Sequence, residues 1–381
     1  MKVCCSLLAV LFVGSLPQAF AWEGHKIITR AALQSYDNWD TATYEPIEKV
    51  LPDLSVGGAP APTSLKVFAD QLVIRQDFIK WDWQPESKDG AATSVLEVLV
   101  KASLEPDDGM DQNLSISTDQ KYMGGYEGLS SQAIRHMYFR MWSIIQPVLT
   151  FHYPVYEMGF APDRAELFFH LAKQAKKGGH TFWAYRFLGW GLHYVQDMGQ
   201  PYHSSQFASY RLLPVRVLLS VGWEAFMAET LRIVGNFHLA FEQYADFLMD
   251  PDRDSPLALA FKVPKADDGL KTALEQKTDL TVKEGVKRLA QASQELAESV
   301  VDAEINMMGP QLLATDMNLI SGFKDASGKP KIDFNQLETS KVLAERRIDM
   351  LGVLERAFGN TGVATRWYID RFRTQTAEMQ K

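Results

Sequence analysis

The chain has 381 residues, with 39 basic and 47 acidic side chains and a formal net charge of -8. Apolar residues make up 46%, which excludes a disordered chain and is enough for a large packed core. Only 2 cysteines are present, Cys4 and Cys5, so a disulfide framework and a cysteine-built zinc finger are both excluded, and the acidic balance argues against broad nucleic-acid binding.

Residues 1–21 read as a secretory signal peptide. Lys2 is followed by an apolar run from Val3 to Val13, then by Pro17 and Ala19-Phe20-Ala21, which places the cut before Trp22. The run is far shorter than the roughly 20 residues of a membrane-spanning helix. Removal of 1–21 takes Lys2 and both cysteines, leaving an exported chain, secreted or periplasmic, with no thiol. Its stability must come from a large core or from metal.

The chain after Trp22 predicts helices nearly throughout, hence an all-α multi-helix bundle. Helical spacing of apolar residues covers 27–36, 164–176 and 182–198. Thr281-x-x-Glu284 is a capping box that opens a helix carrying Val282, Val286, Leu289, Leu296, Val300 and Ile305. Residues 336–356 and 361–376 predict two further helices. Loops are expected at Gly57–Pro62, 105–131, 250–270 and Gly322–Pro330. There is no series of short alternating strands, no internal repeat and no low-complexity tract. The division that follows is a catalytic helical domain over 22–250 and a helical C-terminal extension over 251–381.

Eight histidines are present: His25, His136, His152, His170, His180, His193, His203 and His238. Two of them open an i, i+4 pair with an acid inside an apolar helical stretch: His193 with Asp197, and His238 with Glu242. Residues four apart share a helix face, so each pair can aim an imidazole and a carboxylate at one point. Pro201 ends the first of these helices, and His203 follows where it can fold back toward a second metal. Alone, either pair is more often an ion pair than a ligand pair. Together, in apolar surroundings, they need mutual pairing or a metal to offset desolvation. Imidazole with carboxylate suits zinc. A free α-amine on Trp22, three residues before His25, is a further candidate donor.

These residues resemble the bacterial zinc-dependent phospholipase C family. The likeness is carried by Trp22-Glu23-Gly24-His25, by the stretch from Leu188 to Phe207 that holds His193, Asp197 and His203, and by Phe237-His238-Leu239-Ala240-Phe241-Glu242. It is similar, more loosely, to the single-strand-specific zinc nucleases of the same fold. The resemblance spans roughly 22–250. It implies three zinc ions: one on Trp22 and His25, a second on His193, Asp197 bridging these two, and a third on His203, His238 and Glu242. It also implies an earlier histidine and aspartate. His136 fits the histidine, with His152 as rival. Asp107, after Pro106, fits the aspartate, with Asp111 second and Asp108 and Asp119 behind. His170 and His180 match no ligand and read as ordinary helix-face residues.

The implied chemistry is attack of zinc-activated hydroxide on a phosphodiester, with Asp107 as a proton acceptor. The implied substrate is a glycerophospholipid, cleaved to diacylglycerol and a phosphorylated head group. Glu242 is typical of the phospholipases where the nucleases usually carry Asp. A zinc nuclease or nucleotidase is the alternative, and a non-catalytic zinc-stabilised helical protein is the third reading. No specific nucleic-acid partner is expected. The apolar stretch 211–227 suggests contact with a membrane surface near the site, although packing against the C-terminal helices is the plainer account.

Overall fold

Residues 24–37, 39–76, 89–111, 133–140, 157–205, 208–250, 257, 267–276 and 279–379 are described by the structure, a computed structural model. The segment 1–21, Trp22, Asp119 and His152 lie outside these residues.

Helix α1, Gly24–Leu33, begins one residue before His25 and buries His25, Ile28, Thr29, Ala32 and Leu33. Two short antiparallel strands, Thr41–Thr43 (β1) and Ala92–Ser94 (β2), form one ladder that pairs Thr41 with Ser94. Between them lies α2, Leu65–Leu72, whose N-cap Ser64 accepts from the Val67 amide. Helix α3, Val95–Ala102, is capped in the same way by Ser94, which accepts from Leu96. After it the chain makes a tight turn at Pro106–Met110, where Gly109 takes φ 120. A four-residue helix, α4, Ala133–His136, carries His136. Phe139–Arg140 (β3) and Glu157–Met158 (β4) form a second short ribbon. These ribbons are the strands present among the described residues, and the architecture is all-α.

The centre of the molecule is α5, Ala161–Lys177, packed against α6, Thr181–Asp197. From Phe182 to Asp197 every residue of α6 is buried, so this helix is enclosed on all sides. Its two glycines make that possible. A Cβ on Gly189 would stand 2.6 Å from the Ala102 methyl of α3. A Cβ on Gly191 would stand 2.0 Å from the Tyr368 hydroxyl and 3.1 Å from the Ala165 carbonyl oxygen.

The remaining helices are α7 (Val215–Ser220), α8 (Trp223–Met249), α9 (Asp268–Gln276), α10 (Val282–Leu312), α11 (Phe334–Thr339) and α12 (Ala344–Glu378). The Thr281–Glu284 capping box forms at the start of α10. Where two helices were expected after 336, the structure has the short α11 and then one continuous helix across Gly359 and Gly362. Residues 357–365 are buried all round, so tertiary packing outweighs the weak helix preference of those glycines.

The cores are shared along the chain. One cluster joins Leu33, Phe68, Leu99, Phe168 and Trp190 to Val286, Leu289, Tyr368 and Phe372. The other joins Ile28, Tyr202, Phe237 and Tyr244 to Val300, Met307, Leu354 and Phe358. The stretch 211–227 meets the plainer expectation at its start, where Leu212 joins the core shared with Val300 and Met307 and Arg211 donates to Asp302 of α10. Leu212 is buried, whereas α7 has no buried residue and only Val217 and Leu218 half-buried. No helix among the described residues is long and apolar enough to cross a membrane.

Candidate metal centre

Four elements deliver the first ligands. α6 carries His193 and Asp197 four residues apart, one turn above the other on the same face. The turn at Pro106–Met110 presents Asp107. That turn is anchored by Glu105, which accepts from Arg186 Nε at 3.0 Å and from Arg186 Nη2 at 3.0 Å, with the Trp190 indole N–H also donating to it. A bidentate arginine–carboxylate pair in a buried setting fixes orientation as well as position. α4 and α1 bring His136 and His25 in from the other sides.

The separations show one continuous cluster. His136 Nδ1 lies 2.8 Å from His193 Nε2, 3.0 Å from Asp197 Oδ2 and 3.3 Å from Asp107 Oδ1. His193 Nε2 lies 3.2 Å from Asp197 Oδ2 and 3.7 Å from Asp107 Oδ1. His25 Nε2 lies 3.5 Å from Asp197 Oδ1 and 3.8 Å from Asp107 Oδ2. Asp197 therefore has one oxygen toward His136 and His193 and the other toward His25 and His203, whose Nδ1 is 3.2 Å away. This is the disposition of a bridging carboxylate.

The other group stands beside it. His203 Nε2 is 3.0 Å from His238 Nε2 and 3.3 Å from Glu242 Oε1, and His238 Nε2 is 3.0 Å from the same oxygen. His238 and Glu242 share a face of α8 as the i, i+4 spacing predicts. Three groups of donors thus converge: His25, Asp107 and His193; His136, His193 and Asp197; His203, His238 and Glu242.

The donor geometry fits zinc. Tetrahedral zinc with ligands at about 2.0–2.1 Å sets neighbouring donors about 3.3 Å apart. The second and third groups have edges of 2.8 to 3.3 Å. Asp197 Oδ1 and His203 Nδ1 face each other in the interior, yet neither atom completes a hydrogen bond. Buried polar atoms without partners are rare, and a cation between such atoms satisfies both.

The electrostatics point the same way. Burial alone would raise the Asp197 carboxyl, but His193, His203 and His136 around it hold it well below the usual carboxylate range. Glu242 is likewise lowered against its burial by His238 and His203. Burial would lower His136, but Asp107 and Asp197 raise it to about 10. Burial would also lower His203, but Asp197 and Glu242 raise it to about 10. His193 is lowered by its burial and then by His25. The carboxylates stay ionised and demand positive charge. Protons on His136 and His203 supply it, and a divalent ion that displaces those protons supplies more.

Supporting groups fix the ligand orientations. His193 Nδ1 donates to the Ser103 carbonyl at 2.8 Å, leaving Nε2 for the cluster. The close approach of α3 at Gly189 is what brings that carbonyl within reach. His25 Nδ1 bonds Gln196 Oε1 at 2.9 Å, and Gln196 Nε2 donates to Thr29 Oγ1 at 2.9 Å. Gln200 Nε2 donates to Glu242 at 3.2 Å. Tyr202 stacks its ring on His238 at 5.6 Å and donates its hydroxyl to Glu304 of α10. These groups are invisible to a motif reading, because each contact joins segments distant in sequence.

His25, Asp107, His136, His193, Asp197, His203, His238 and Glu242 come together. Trp22 and the rival His152 lie outside the described residues. Asp111, the second choice for the early acid, stands behind His136, 3.4 Å from its Nε2, and is itself held by Arg135, Arg164 and Tyr194. Asp108 is exposed. His170 is an exposed helix-face residue, as expected. His180 is not on a helix face. Gly179, at φ 87, breaks the chain before it, and His180 precedes α6 with Glu45 and Asp53 each 3.0 Å from one of its ring nitrogens.

No protein-family model matches the chain, and no curated protein sequence matches it. Among solved structures, the alpha toxin from Clostridium absonum is similar at a TM-score of 0.39 and 15% identity, over 96% of this chain and 67% of that one.

Proposed function

We propose that this chain is an exported zinc-dependent phosphodiesterase, a phospholipase C that hydrolyses glycerophospholipids to diacylglycerol and a phosphorylated head group. The observation that carries the reading is the convergence of eight imidazole and carboxylate side chains, with the two oxygens of Asp197 turned to opposite histidines. Eight such groups in one interior are costly to fold without metal. Cleavage before Trp22 frees an α-amine three residues from His25, which extends the first donor group.

His25, Asp107, His136, His193 and Asp197 would hold two ions, and His203, His238 and Glu242 a third. Bound zinc lowers the pKa of water and draws off the negative charge that builds on phosphoryl oxygens. The chain's own residues then have separate tasks. Asp197, with its side chain 1% exposed, would bridge two of the ions and cannot turn toward solvent. Asp107, at 12%, is the carboxylate with an open edge and is placed to take the proton of the attacking water. Water adds to phosphorus, the bond from phosphorus to the glycerol oxygen breaks, and the proton held by Asp107 passes to the departing diacylglycerol oxygen. Ser103, Gln196 and Asp111 keep the imidazoles turned inward throughout, so little reorganisation is needed as charge develops.

The test assays the protein beginning at Trp22 on phosphatidylcholine vesicles and on single-stranded DNA, with and without chelator. Chelator-sensitive release of phosphorylcholine is expected. Chelator-sensitive DNA cleavage without lipid hydrolysis would replace this reading with the nuclease, and zinc binding with neither reaction would leave a zinc-stabilised helical protein.

A further inference from the structure

Helix α7 is an apolar element turned to water. Val215 is 51% exposed, Leu219 81% and Val221, just past its end, 71%. Large side chains exposed singly need no explanation, but these three fall within seven residues of a stretch, 213–222, that has no buried member and holds Val217 and Leu218 half-buried. Charge sets the segment apart as well. Residues 208–222 carry Arg211 and Arg216 and no acid, in a chain whose net charge is -8.

Its position follows from what anchors it. The turn at Tyr210–Leu212 is pinned by buried Leu212 and by Arg211, which donates to Asp302 of α10. Two residues further along α10, Glu304 accepts from Tyr202, the neighbour of His203. The turn that launches α7 and the loop that carries His203 thus dock on the same stretch of α10. His203 and His238 are also the partly exposed histidines of the cluster, at 11% and 15% of their side chains, so the third donor group, carried by the loop that docks beside the start of α7, reaches solvent.

From this placement we infer that α7 is the surface by which the protein seats on a phospholipid bilayer bearing anionic head groups. Leu219, Val221 and Val215 enter the acyl boundary, and Arg216 stays at the phosphate level. The inference rests on the phospholipase reading for its purpose: seating α7 holds the third donor group at the lipid head groups. Six helical residues are too few to bind a membrane as a free peptide, but here the rest of the fold pays their ordering entropy.

The test is co-sedimentation with vesicles of phosphatidylcholine containing phosphatidylglycerol, scored for binding and separately for head-group release. The parent is expected to sediment with the vesicles. The double variant Leu219→Asp, Val221→Asp should bind about tenfold more weakly or worse, since two apolar contacts are replaced by charges that repel the surface. Arg216→Gln should reduce the gain that phosphatidylglycerol confers. Because these side chains touch no core, zinc content and thermal midpoint should match the parent. Equal binding by parent and double variant, or no binding by the parent, would overturn the inference. Binding that depends on α7 in a protein that releases no head group would keep this surface and remove the phospholipase reading, while head-group release with binding indifferent to α7 would do the reverse.

Discussion

Asp111 acts on the cluster from behind His136. Its carboxylate, kept ionised against its burial by Arg135 and Arg164, lies 3.4 Å from the imidazole nitrogen that points away from the other ligands. A carboxylate in that position fixes the ring and raises its basicity. Asp111→Asn should therefore weaken metal binding by about 10- to 100-fold, because the ring loses its orienting charge while the donor set is intact. Competition with a zinc-sensitive dye measures this, and unchanged affinity would show that Asp111 serves only its arginines. The early acid illustrates what sequence can and cannot decide. Pro106-Asp107 singled out Asp107, but the separation of roles between Asp107 and Asp111 depends on which side of His136 each falls, and that is set by the turn at Gly109.

Glu304 is a different buried acid. Burial pushes its carboxyl well above the usual range, with the Tyr202 hydroxyl opposing only in part. A carboxyl whose pKa rises on folding stabilises the protein fully below its unfolded value, about 4.3, and loses that contribution as pH climbs toward the folded value. Glu304→Gln is a neutral isostere that still accepts from Tyr202. Its Tm should gain on the parent's as pH rises from about 5 to 9, and a difference between the two that stays constant with pH would show that Glu304 is ionised in the fold.

At the scale of elements, α6 shows how packing serves the site. Its enclosed course depends on Gly189 and Gly191, and the first of these lets α3 approach closely enough for the Ser103 carbonyl to orient His193. Gly191→Ala would drive a methyl to 2.0 Å from the Tyr368 hydroxyl of α12. Overpacking of this kind costs about 1–3 kcal/mol, and Tm should fall accordingly. Adding Tyr368→Phe removes the nearest atom, so the double variant should recover part of the loss despite the hydroxyl's own bond to Ala165 at 2.9 Å. Strict additivity would place the strain elsewhere. The two i, i+4 pairs and the Thr281 capping box were readable because each is complete within one helix. The single long α12 was not, because the burial of 357–365 comes from neighbours the local pattern does not name.

Across the whole molecule, the contacts that orient the cluster span long stretches of chain. The contacts that orient His25, His193 and Tyr202 join residues 171, 90 and 102 apart in sequence. No local spacing announces them, whereas the ligands themselves are announced by residue type. The helices after 250 also enter both cores, and α10 reaches the third donor group through Glu304. Beyond Cys4 and Cys5 the sequence holds no thiol, so bound metal would be the cross-link among helices that these cores bring together.

The most direct test is the zinc content of the protein beginning at Trp22, measured by mass spectrometry of the purified, zinc-equilibrated chain. The account predicts three ions per chain, one for each converging group, with chelation lowering the thermal midpoint and abolishing phosphodiester hydrolysis. A folded chain that retains no zinc, and is indifferent to chelator, would contradict it.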